Sequence, residues 1–292
     1  MPSPAFLTRC SPAFRRARNG AAPPGVQLGD VRRLLVAVPL ALAAALAARL
    51  VVGAGERSPP LLPDLDEAPP YAVSVERRAG EYVLAFGSAV DNVGGGPLVV
   101  VAERVGGGRR MIATQLVLRP GGSAVRRALG PVVAYEHAET HSHWHLHGFA
   151  RYELRRADGS EPLVRARKQG FCLGDRYDSN RFRRIPGEPR VARYTAECGK
   201  GQSRRRSLRE GISVGYGDDY APYLEGQFVP LRDLPAGRYL LVHRANYLRA
   251  LRESDYHNNA SSLLIELRRP AGKPPRVRVL ARCPDSATCP AS

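Results

Sequence analysis

The segment HSHWHLH, residues 141–147, holds four of the chain's seven histidines at alternate positions: His141, His143, His145 and His147. On a β-strand, residues i, i+2 and i+4 share a face, so His143, His145 and His147 point the same way. Neutral imidazole is a common ligand for copper and zinc. Same-face neighbours on a strand lie about 6.6 Å apart. Two such histidines reach one ion easily, three converge through long side chains or a bulge, and four do not converge from one straight strand. The segment carries no cysteine and no obvious carboxylate, which suits copper or zinc and argues against calcium or magnesium.

The elements that must position this row read as short strands. YAVSVE (71–76), EYVLAFGSAV (81–90), GPLVVVAERV (96–105) and RMIATQLVL (110–118) are each bounded by turn material such as RAG, DNVGGG and RPGG. HWHLHGFARYELRR continues the alternation as one run. GQFVPLRDLPAGRYLLVHRAN reads as strand, turn, strand, and SSLLIELRR as a last strand. No sustained helical amphipathic segment and no internal repeat stand out. The expected fold class is all-β, an antiparallel β-sandwich-like domain.

The first third is organised differently. LLVAVPLALAAALAA (34–48) is an apolar run preceded by Arg15, Arg16, Arg18, Arg32 and Arg33. That pattern is a basic n-region (1–33) followed by a signal peptide or single transmembrane anchor (34–55). Either way the remainder leaves the cytoplasm, to be extracellular or held on the outer face of the membrane. A Pro-rich linker (56–70), a domain (71–270) and a Pro/Arg-rich tail (271–292) follow. Beyond the apolar run, Cys172, Cys198, Cys283 and Cys289 form an even set suited to an oxidising compartment. Proximity in sequence favours Cys172 with Cys198 and Cys283 with Cys289.

The chain has 292 residues and a net charge of +17, almost all of it arginine. Without residues 1–55 the charge is +11, because seven arginines and one aspartate go with them. The arginine runs carry no interleaved aromatic platform, so no nucleic-acid partner is expected. Only three lysines occur: Lys168, Lys200 and Lys273.

HWHLHGFARYEL, KQGFCLGD (168–175), GISVGYGDDY (211–220), LEGQFVPLRDLPAGRYLLV (224–242) and ESDYHNN (253–259) occur in that order. Together they resemble the catalytic domain of lysyl oxidases, in particular bacterial members of that copper amine oxidase family, over about residues 62–268. The resemblance implies copper held by His143, His145 and His147. It also implies a self-made lysine tyrosylquinone, formed when an oxidised tyrosine ring takes up a lysine amine. The family's cofactor lysine precedes x-x-F-C, which is Lys168. The chemistry demands a lysine there, since a crosslinking amine must lose its proton and arginine effectively cannot. Two registers remain for the tyrosine. Counting forward from Gly211 reaches Tyr216; counting back from Gln227 reaches Tyr220, which keeps a D-x-Y pattern and is preferred. Asp219 or Asp218 is the candidate base for the substrate's α-proton by neighbourhood.

ESDYHNN offers Glu253, Asp255, Asn258 and Asn259 within one turn, a set that suits calcium. The resemblance associates it with the P-D-L near the domain start, here Asp64 and Leu65. The competing reading is an Asx-type turn closing a hairpin. The function implied is oxidation of a primary amine, small or peptidyl-lysine, by O2. The alternative is a non-catalytic copper- or zinc-binding β-sandwich outside the cell.

Overall fold

The computed structural model describes residues 58–137, 142–179 and 183–290. The expected n-region, signal or anchor segment and His141 lie outside these. Among the described residues every regular element is a strand, arranged in three antiparallel sheets. The all-β antiparallel class read from the sequence is therefore the observed one.

One six-stranded sheet runs in the order Gly170–Phe171, Ser142–His147, Ala124–His137, Arg110–Leu118, Leu98–Glu103, Ser207–Ile212. A second is built on the long strand Glu81–Asn92, which pairs with Leu65–Glu67, Tyr71–Arg78, Tyr216–Tyr220 and Phe228–Pro230; Tyr177–Asp178 lies beyond Tyr216–Tyr220. The third runs Arg276–Cys283, Ala260–Arg268, Gly237–Ala245, Ala150–Arg156, Val164–Arg165. Residues 83–90, VLAFGSAV, are buried on both faces of the long strand, as a mainly apolar run requires; its one polar side chain, Ser88, accepts from the Tyr152 hydroxyl and from Gln227 Nε2, each at 2.8 Å. The strand Arg110–Leu118 instead alternates, burying Met111, Ala113, Gln115 and Val117. One apolar core joins side chains from all three sheets, including Phe86, Met111, Trp144, Phe149, Tyr152, Phe171 and Leu241.

Four features depart from the sequence reading. HWHLHGFARYELRR is two strands in different sheets, Ser142–His147 and Ala150–Arg156, broken where Gly148 takes φ +79°. The strand Ala124–His137 has no counterpart in that reading. Gly130-Pro131 interrupts it at a bulge, and only Val133 in it is buried, so neither periodicity nor composition announces it. The segment read as a linker contributes the strand Leu65–Glu67, whose Leu65 and Glu67 are fully buried. The segment read as a tail contributes the edge strand Arg276–Cys283. Disulfides join Cys172 to Cys198 and Cys283 to Cys289, the pairs nearest in sequence.

Candidate active site

Alternation along Ser142–His147 sends Trp144 and Leu146 into the core and turns His143, His145 and His147 to the opposite face. His143 Nε2 and His145 Nε2 approach to 2.6 Å. His147 does not turn to the same point: its Nε2 lies 2.7 Å from Glu136 Oε1. The other oxygen of Glu136 is 2.5 Å from His145 Nδ1. These two contacts hold the Glu136 carboxyl well below the usual carboxylate range. Among the described residues no three His, Cys, Asp or Glu side chains already surround one point. The donor chemistry nonetheless fits copper: two imidazole nitrogens face each other, and a third imidazole stands two residues on, linked through one carboxylate.

The K-x-x-F-C segment docks directly on this row. Gly170 and Phe171 pair antiparallel with His147 and Leu146. A Cβ at Gly170 would sit 2.6 Å from His145 Cβ, so only glycine permits this approach. Lys168, two residues earlier, is anchored by its N–H to the Gly226 carbonyl at 3.2 Å. Gly226 has φ +76°, and a Cβ there would fall 2.8 Å from the Lys168 nitrogen.

Lys168 Nζ lies over the Tyr220 ring, 4.5 Å from its centroid, and 5.0 Å from that of Phe171. Burial brings its pKa down to about 8, against the pull of Asp218 and Glu136. Tyr220 is buried, and its hydroxyl is tied to the Cys172 backbone: it accepts from the N–H at 3.0 Å and lies 3.0 Å from the carbonyl. It is also 3.0 Å from Asp218 Oδ2. Asp218 is fully buried, pushed up to about 7 by burial, and bound through Oδ1 to Arg176 Nε at 2.5 Å. Burial and then Asp218 raise the Tyr220 phenol well above its ordinary value.

The candidates that the sequence left open lie in different surroundings. Tyr220 stands beside Lys168. Tyr216, also buried, pairs with Asp178 four residues away along the strand. Asp218 and Tyr220 share a face, which places Asp219 on the other side, where its carboxylate meets the Tyr71 hydroxyl at 3.4 Å. Asp219 therefore does not join the Lys168–Tyr220 group, and Asp218 does. A cleft of about 310 Å³ is lined by His143, His145, Lys168, Arg176 and Tyr220 among others, so two histidines of the row and the lysine–tyrosine pair open into one space.

The second constellation assembles in part. Glu253 Oε2 accepts from the Leu65 N–H at 2.8 Å, and Asn259 Nδ2 donates to Glu253 Oε1 at 2.8 Å. Asn258 Nδ2 donates to Asp64 Oδ1 at 2.8 Å. The Oδ1 atoms of Asn258 and Asn259 are buried without a hydrogen-bond partner, which fits a cation beside them. Asp255 is exposed and turned to its own loop, bonding the His257 N–H and ring.

Glu136 and Arg176 are the members that sequence reasoning missed. The signal for Glu136 lay in a hairpin: it pairs directly opposite His143, so the two share a face. Arg176 directly follows the KQGFCLGD block that carried the lysine.

A family model described as Lysyl oxidase matches residues 107–270, more than half of the chain. Protein-lysine 6-oxidase of Rattus norvegicus is 27% identical over 133 residues, 44% of this chain and 28% of that protein. The Homo sapiens protein-lysine 6-oxidase is 26% identical over 133 residues, 44% of this chain and 27% of that protein. Lysyl oxidase homolog 3B of Danio rerio is 28% identical over 125 residues, 41% of this chain and 13% of that protein. The chain thus spans less than a third of the length of each of these relatives.

Proposed function

The chain belongs to the lysyl oxidase family, and on that footing we propose that it is a copper-dependent amine oxidase. It would convert RCH2NH2, with O2 and water, to RCHO, ammonia and hydrogen peroxide. The observation that carries this reading is Lys168 Nζ above the Tyr220 ring, in a cleft shared with His143 and His145. His143, His145 and His147 would hold copper, which supplies the one-electron chemistry with O2 that turns a phenol into a quinone.

The chain's own residues prepare the pair. Arg176 and the Cys172 backbone fix the Tyr220 hydroxyl and Asp218, so the ring cannot swing away from the lysine. A lowered lysine pKa keeps a fraction of Nζ unprotonated near neutrality, ready to bond to an oxidised ring carbon. In turnover Asp218, poised near neutrality, would take the α-proton of the substrate amine. Substrates would be primary amines, small or peptidyl-lysine. The two disulfides favour an oxidising compartment outside the cytoplasm. Asp64, Glu253, Asn258 and Asn259 would hold calcium beside Leu65.

Peroxide release with a panel of primary amines tests the reading. Lys168→Ala should abolish release while retaining copper. Wild-type protein that holds copper and releases no peroxide from any primary amine would leave only a metal-binding domain.

A further inference from the structure

Glu136 is absent from every motif that identified the site, yet it touches two of the three histidines. Its strand, Ala124–His137, pairs antiparallel with Ser142–His147, and Glu136 stands opposite His143. Cross-strand partners share a face, and diagonal neighbours lie within reach of a long side chain. A single carboxylate thus addresses His145, its diagonal neighbour, and reaches on to His147, two positions further, with one oxygen each: 2.5 Å to His145 Nδ1 and 2.7 Å to His147 Nε2.

We propose that Glu136 is a positioning carboxylate of the histidine metal site, fixing the His145 ring and tethering His147. The proposal rests on the copper oxidase reading. With Nδ1–H of His145 donating to the carboxylate, the tautomer is set, and it is Nε2 that meets His143 Nε2 at 2.6 Å. A histidine bound to a metal through one nitrogen is characteristically held by a carboxylate through the other, which orients the ring and strengthens it as a donor. The contact to His147 is close but not aligned as a hydrogen bond. The tether thus holds the third imidazole near the site without closing a cage, and His147 is the ring that must turn when an ion enters.

The test is copper binding by the full chain, purified without metal and titrated with Cu(II) against a competing chelator, with EPR spectra of the loaded protein. Glu136→Ala should lower copper affinity about ten- to a hundredfold and change the nitrogen coupling pattern. Glu136→Gln keeps an acceptor for His145 Nδ1 and should fall between it and wild type. A role confined to folding would lower the melting temperature of the metal-free protein without altering the EPR signal of the loaded one. If Glu136→Ala is too unstable to purify, the near-isosteric Glu136→Gln carries the test. Wild-type affinity and an unchanged spectrum in Glu136→Ala, with binding lost in His145→Ala, would overturn the role of Glu136 and leave the oxidase reading standing. Undiminished binding in His145→Ala would overturn both.

Discussion

Lys168 Nζ sits 4.5 Å above the centroid of the Tyr220 ring, while the Tyr220 hydroxyl is clamped by the backbone of Cys172 and by Asp218. The two residues are 52 positions apart in the chain, and the contact follows from two strand pairings. Gly170–Phe171 lies along the histidine strand, and Tyr216–Tyr220 lies along the central strand Glu81–Asn92. Phe171, next to Cys172, packs perpendicular to the Tyr220 ring, with centroids 5.3 Å apart. The sheet registers thus place an amine over a phenol. Tyr220→Phe should remove the crosslink and all amine oxidation. It should also cost about 1–3 kcal/mol of stability, because buried partners lose their hydroxyl. Tyr216→Phe should keep both the crosslink and the activity. Intact-mass analysis and denaturant melts of the two variants distinguish them.

The pH dependence of maturation follows from the lysine. The neutral amine is the form that bonds to carbon, and burial brings the Lys168 pKa down to about 8. The rate of crosslink formation should rise with pH up to about 8 and flatten above it. A lysine at its ordinary value would keep accelerating towards about 10.4. The same shift makes stability rise with pH between about 8 and 10.4, because protonating the buried amine penalises only the folded state. Time courses of quinone absorbance at fixed copper, from pH 6 to 10, check the first point.

Asp218 and Asp219 offer a sharp contrast between adjacent residues. Asp218→Asn should lower kcat by about 10²–10⁴, the range of a lost general base. Asp219→Asn should change it little, since Asp219 faces Tyr71 on the other side of the strand. Steady-state peroxide assays on copper-loaded variants with equal crosslink content decide the matter.

The Cys172–Cys198 disulfide closes a 26-residue separation beside the Tyr220 clamp. Replacing both cysteines by alanine should cost about 3 kcal/mol and loosen the Cys172 backbone that holds the tyrosine hydroxyl. Equilibrium unfolding should register the first effect, and a slower crosslinking rate the second.

Much of the architecture was legible because residue pattern and environment agree. Residues 83–90 are apolar but for Ser88 and are buried on both faces; Arg110–Leu118 alternates and is half-buried. The histidine row was legible for the same reason, since period two is the period of a strand. Glu136 was not, because its strand buries only Val133 and is broken at Gly130-Pro131, and only the pairing register shows what it faces. Which tyrosine stands beside Lys168, and which aspartate meets that tyrosine, also needed the register. Asp255 satisfied a spacing rule, yet its Oδ1 is bonded within its own loop, away from Glu253 and Asn259.

The most direct measurement is peptide mapping by mass spectrometry of the full chain matured with copper and air. One species joining the Lys168 peptide to the Tyr220 peptide is expected, absent from protein kept free of copper. Recovery of both peptides separate and unmodified from copper-loaded, aerated protein would contradict it.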